Sequence, residues 1–147
     1  MGAKGPSRSA AMPPTPHDAV LGELERGPFS SALGLRIEAR AEGEATVRMP
    51  FAERILNAGG LDVPIHGGAI AALADFAACA AVWTLPAAAS SATISMAVNY
   101  TAPALGTDLV ARARVRRAGK RIASVAVEIR DRHDALVADA LVTYKIA

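Results

Sequence analysis

Cysteine and aromatic residues are scarce in this 147-residue chain, and each scarcity closes off a class of protein. The lone Cys79 excludes an intrachain disulfide and lacks the partners that a zinc site needs, so no metal is expected. A basic run is missing too. Sixteen Lys and Arg are scattered among fourteen Asp and Glu, for a net charge of +2. That pattern carries no nucleic-acid footprint, although it is compatible with a small polyanion such as a nucleotide or coenzyme. Residues 1–16 are rich in Pro, Ser, Ala and Gly without an apolar run, so no secretory signal is expected. Pro6 stands where a myristoylation start requires Ser or Thr. One stretch, Gly68–Leu85, approaches the length of a membrane span. Alanine dominates it, and a central Asp75 costs about 2.5–3.5 kcal/mol on insertion scales. The expectation is a soluble, cytoplasmic protein with neither a membrane nor a nucleic acid as partner.

Apolar residues make up 52% of the chain, enough for one domain with a proper core. Pro6, Pro13, Pro14 and Pro16 predict a flexible tail over 1–16, leaving a domain over 17–147. A short amphipathic helix is predicted from His17 to Arg26, ended by Gly27-Pro28. Two strands, Ala32–Ala41 and Glu44–Pro50, are joined at Glu42-Gly43, a hairpin signal. A loop over Phe51–Ile65 carries Asn57, Gly59, Gly60 and Pro64, and the long helix follows until Pro86 stops it. Three or four strands are predicted after it, over about Ala92–Thr101, Leu109–Arg117, Arg121–Arg130 and Leu136–Ile146. Alternation supports them, with Leu109, Ala111, Ala113 and Val115 on one face and Val110, Arg112, Arg114 and Arg116 on the other. One long apolar helix with so large an antiparallel sheet predicts an α+β domain whose sheet curls around the helix.

Within that helix, Asp75 is surrounded by Ala71, Ala72, Leu73, Phe76, Ala77, Ala78, Cys79 and Ala80. A helix apolar all round is a buried helix, and a buried charge is expensive unless it is paired or used. Catalysis is one of the few explanations for such a residue, a structural carboxylate bonded to a strand being the other. At the helix mouth, His66-Gly67-Gly68 offers backbone amides to a developing oxyanion, with glycines that let substrate approach closely.

The order hairpin, Asn-containing loop, His66-Gly67-Gly68, helix with Leu73 and Asp75, then a run of strands resembles the hotdog-fold acyl-CoA thioesterases. The resemblance is to the phenylacetyl-CoA thioesterase-like (PaaI-like) branch, and it covers about residues 18–146. The strand Thr93–Tyr100 with Pro103 is similar to a family strand ending in Tyr-x-x-Pro, and Gly119-Lys120-Arg121 resembles its usual hairpin. One departure is the gap from Asn57 to His66. It is nine residues rather than about six, because Leu61-Asp62-Val63-Pro64 lengthens the loop.

The resemblance implies hydrolysis of an acyl-CoA to the free acid and coenzyme A, with no cofactor beyond the coenzyme A of the substrate. Asp75 is then the general base or nucleophile, the Gly67 amide polarises the carbonyl, and Thr93 bonds the reacting carboxylate or its water. Asn57 and His66 complete the catalytic set, His66 chiefly by shaping the loop. Gly68, Tyr100, Arg117, Lys120 and Arg121 are candidate substrate-binding positions, the last three for coenzyme A phosphates. Gly67 and Asp75 are eight residues apart, about 12 Å along a helix, so one thioester cannot touch both on a single chain. A two-fold pair of antiparallel helices solves this, and the expected assembly is a homodimer, extended to a homotetramer by pairing two dimers. Cys79 reads as a small buried thiol and the Arg112, Arg114 and Arg116 stripe as a solvated face. Tyr100 and Trp83 read most simply as core or interface aromatics. The alternatives are a non-catalytic acyl-CoA-binding protein on the same fold, or an enoyl-CoA hydratase, whose paired Asp/His helix motif is absent here.

Overall fold

The computed structural model describes residues 17–60 and 62–147; the expected tail over 1–16 and Leu61 lie outside them. Two short helices come first, α1 (Asp18–Arg26) and α2 (Pro28–Leu33). A hairpin of β1 (Arg36–Ala41) and β2 (Glu44–Met49) follows, turning at Gly43 with φ +75°. The central helix α3 (Gly67–Val82) leads into β3 (Ala92–Tyr100), β4 (Leu109–Ala118), β5 (Ile122–Arg130) and β6 (Leu136–Lys145). The six strands form one antiparallel sheet in the order β1-β2-β4-β5-β6-β3, so β3 crosses over to the edge beside β6. Helix α3 packs against all six strands, as a sheet curled around it requires.

The core is where the inward phase of the strands meets α3. Val47 and Met49, Leu109 and Ala111, Val125 and Val127, and Ala138 and Val142 are all buried against Leu73, Ala74, Ala77 and Ala78. Alanines on this face let the helix lie close to the sheet. The C-terminal end of α3 is tied to the first hairpin by Thr84, whose hydroxyl donates to the Ala81 carbonyl and accepts from the Gly43 amide at 2.7 Å.

Two expectations are corrected. Residues 28–33 are helical rather than the lead-in to a strand: Pro28 presets the first turn, and Gly34, at φ +68°, closes the helix by donating to the carbonyls of Ser30 and Ser31. The strand therefore begins at Arg36. Second, α3 is not buried all round. Gly67, Ala71, Ala72, Asp75, Phe76 and Cys79 are only half-buried, forming a stripe beside the exposed edge strand β3. On that strand Ile94 is 55% exposed and Tyr100 53%. The apolar periphery of α3 thus continues onto a face that this chain does not cover by itself.

Candidate active site

Two groups of functional side chains lie at opposite ends of β3, and α3 carries one member of each. The first centres on Asp75. Its Oδ1 accepts from the Thr93 hydroxyl at 2.7 Å and from the Tyr144 hydroxyl at 2.6 Å. Thr93 and Tyr144 are direct cross-strand partners on β3 and β6, so sheet register delivers both donors to one oxygen. Among the described residues nothing donates to Oδ2 and no cation pairs with the carboxylate. Tyr144 is 2% exposed, and burial foremost pushes its phenol far above the ordinary tyrosine range. It therefore stays protonated and acts as a fixed donor. A cavity of about 310 Å³ opens beside Asp75, walled by Leu24 and Phe29 of the N-terminal helices and by Phe76 of α3.

The second group surrounds the start of α3. His66 is the N-cap, and its Nδ1 accepts from the Gly68 amide at 2.8 Å. The Gly68 N–H is thereby consumed, and among the described residues no group accepts from the Gly67 N–H. That amide is the donor left free at the positive end of the helix. Tyr100 donates from its hydroxyl to the Gly67 carbonyl at 2.8 Å. A Cβ at Gly67 would meet the Tyr100 ring at 3.2 Å, and one at Gly68 would meet His66 Nδ1 at 2.9 Å, so a side chain at either position displaces a neighbouring side chain. A second cleft, of about 380 Å³, is lined by Gly67, Ile70, Tyr100 and Pro103.

Within one chain these groups do not meet. Eight helical residues separate Gly67 from Asp75, about 12 Å, and seven strand residues separate Thr93 from Tyr100, roughly 23 Å.

Asn57 sits on a short hairpin: its amide donates to the Pro64 carbonyl at 3.0 Å, beside the Leu56–Ile65 bridge. The longer loop is thus taken up beyond that pairing, and Asn57 stays opposite the segment leading to His66, its exposed side chain unbonded among the described residues. Arg117, Lys120 and Arg121 are exposed at the β4–β5 hairpin. Register puts that hairpin at the Thr93 end of the sheet, since Lys145 pairs with both Ile122 and Ala92. Arg112 and Arg114 form exposed ion pairs with Asp134 and Glu44, as a solvated face does. Cys79 lies 3.6 Å from the Ser91 hydroxyl, and burial raises its thiol above the usual range, which disfavours a thiolate. Trp83 donates from Nε1 to that same Ser91 at 2.8 Å. No group of described residues could hold a metal ion, and none of their helices is long and apolar enough to cross a membrane.

Tyr144 is the site residue that sequence reasoning missed. A signal existed: it continues the inward phase Ala138, Ala140, Val142 of β6, and a tyrosine buried there needs an acceptor for its hydroxyl.

The model of the thioesterase superfamily matches residues 65–138, which span α3 with both glycines, Asp75 and most of the sheet. A protein of Halobacterium salinarum, provisionally named an esterase, is 37% identical over 102 residues, covering 67% of each chain. The phenylacetic acid degradation protein PaaI of Thermus thermophilus, solved as a mutant, is 31% identical with a TM-score of 0.73, over 82% of this chain and 99% of its own. A thioesterase of Haemophilus influenzae is 25% identical with a TM-score of 0.76, over 85% of this chain and 86% of that one.

Proposed function

Because the chain belongs to the thioesterase superfamily and has its hotdog fold, we propose that it is an acyl-CoA thioesterase of the PaaI-like branch. The observation that carries this reading is the Asp75 carboxylate. It sits on the open stripe of α3 with one oxygen held by Thr93 and Tyr144 and the other unbonded. A protein that only bound acyl-CoA would have no use for a carboxylate so held at the edge of an apolar cavity.

In the proposed reaction the thioester carbonyl accepts a hydrogen bond from the Gly67 N–H, which stabilises the oxyanion as it forms. Asp75 either takes a proton from the attacking water or attacks the carbonyl carbon itself. The C–S bond breaks and the thiolate of coenzyme A takes up a proton. With water as the attacking group, the acyl group leaves directly as the free acid. With Asp75 as nucleophile, a water then hydrolyses the acyl–Asp75 anhydride, releasing the acid and regenerating the carboxylate. Occupying the Gly68 amide with His66 keeps that second donor out of the reaction and holds the first turn in place.

Gly67 of one chain and Asp75 of a second are brought together by a two-fold axis that sets α3 against α3 and β3 against β3. This homodimer covers the half-buried stripe and the exposed Ile94 and Met96, and it makes two equivalent sites. The apolar cavity beside Asp75 receives the acyl group. Arg117, Lys120 and Arg121, free of ion pairs among the described residues, are available to coenzyme A phosphates.

The test is thiol release from a panel of aryl- and alkyl-acyl-CoA thioesters. Asp75→Asn should keep the fold and lose about 10²–10⁴-fold in turnover, the range for acid–base groups. Near-native turnover in that variant would remove Asp75 from the chemistry.

A further inference from the structure

We infer that Tyr144 is a positioning residue for the reaction: with Thr93 it pins Oδ1 of Asp75, so that Oδ2 alone is presented to the substrate. The inference rests on the thioesterase reading above and goes beyond it by assigning the two carboxylate oxygens different tasks.

Oδ1 has room for two donors, and it has two, at 2.7 Å from Thr93 and 2.6 Å from Tyr144. A hydrogen bond to an ionised acceptor is stronger than a neutral one, and two of them leave Oδ1 a poor base and a poor nucleophile. Oδ2 has none among the described residues. Of the two oxygens it is the one whose lone pairs are left open, and Asp75 itself lines the cavity proposed for the acyl group.

Tyr144 is suited to hold rather than to react. Its hydroxyl has a single proton, and the second acceptor within reach is the Asp75 carbonyl at 2.8 Å. The proton goes to Oδ1, the nearer and the charged of the two acceptors, and both belong to residue 75, so Tyr144 locates Asp75 against β6. The phenol lies on the inner face of the sheet, between its neighbours Thr93 on β3 and Ala123 on β5, at a position fixed by ladders on both sides. Thr93, by contrast, is on the exposed edge strand, at a register shift. The rigid donor is therefore Tyr144, and Thr93 completes the pair.

The experiment uses the full chain and an acyl-CoA thioester that the native protein hydrolyses. Tyr144→Phe deletes one oxygen and keeps the ring. The expected result is a kcat lower by about tenfold or more, a KM within about twofold of native, and thermal unfolding within a few degrees. Because Tyr144 acts through Asp75, adding Tyr144→Phe to Asp75→Asn should cause no further loss. Should Tyr144→Phe fail to fold, Thr93→Val removes the other donor to Oδ1 and must show the same split between kcat and KM. An unchanged kcat in the folded variant, a change confined to KM, or an equal further loss in the Asp75→Asn background would each overturn the inference and leave the thioesterase reading standing. A native protein inactive on every thioester would overturn that reading, and this inference with it.

Discussion

Tyr100 and Gly67 share one volume: the Tyr100 hydroxyl donates to the Gly67 carbonyl at 2.8 Å, and its ring fills the space that a side chain at position 67 would need. The free amide proposed to bind the carbonyl is thus packed from one side and open from the other. Gly67→Ala should fold, because Tyr100 is half exposed and its ring can shift. It should nonetheless lose about 10²-fold in kcat through displacement of the amide and of the ring that holds it, on the scale of removing one oxyanion donor. Trimming the ring in a Gly67→Ala/Tyr100→Ala double variant relieves the contact but not the lost bond, so recovery should be partial. Full native turnover in Gly67→Ala would place the carbonyl elsewhere.

Cys79 gives a prediction of opposite sign. Burial first, and the Asp75 charge further down, raise its thiol. A raised thiol keeps its proton as pH rises through the ordinary cysteine range, so at neutral pH less thiolate is present than for a free cysteine. Iodoacetamide should label the folded protein more slowly than a free thiol, and faster once the protein is unfolded. Cys79→Ala should hydrolyse its substrate at a rate within about threefold of native, the cost of a modest change in cavity shape. A loss comparable to that of Asp75→Asn would make the thiol the nucleophile.

The parts of this structure legible in the sequence are those written as local periodicity. The inward faces of β4 and β5 follow directly from alternation, and α3 from its apolar length before Pro86. The short helix α2 was not legible. Pro28-Phe29-Ser30-Ser31-Ala32-Leu33 is less than two turns, and only Gly34 behind it marks a helix end. Periodicity also misjudged Asp75. An all-apolar circumference says that every face of a helix is covered, but not whether a second chain does part of the covering. Motif spacing put Asp75 within the long helix and Gly67 at its mouth, one residue before the expected start, where α3 in fact begins. Tyr144, by contrast, lies 69 residues from the carboxylate it touches. Only sheet register, set by the crossover that puts β3 beside β6, brings that tyrosine under Asp75.

The shared site can be tested with two inactive variants. Asp75→Asn removes the carboxylate, and Gly67→Val drives a branched side chain into the Tyr100 ring that already lies 3.2 Å from a Cβ. When the two chains are unfolded together and refolded, half of the dimers are mixed. In a mixed dimer one site collects both lesions, while the other joins the intact Gly67 of the first chain to the intact Asp75 of the second. One good site of two, in half of the dimers, should restore roughly a quarter of native thiol release. This recovery requires that amide and carboxylate serve one thioester from opposite chains. If mixed dimers form and no activity returns, a single chain must bring both groups to the substrate. That would demand a rearrangement of α3, because about 12 Å of helix now separates them.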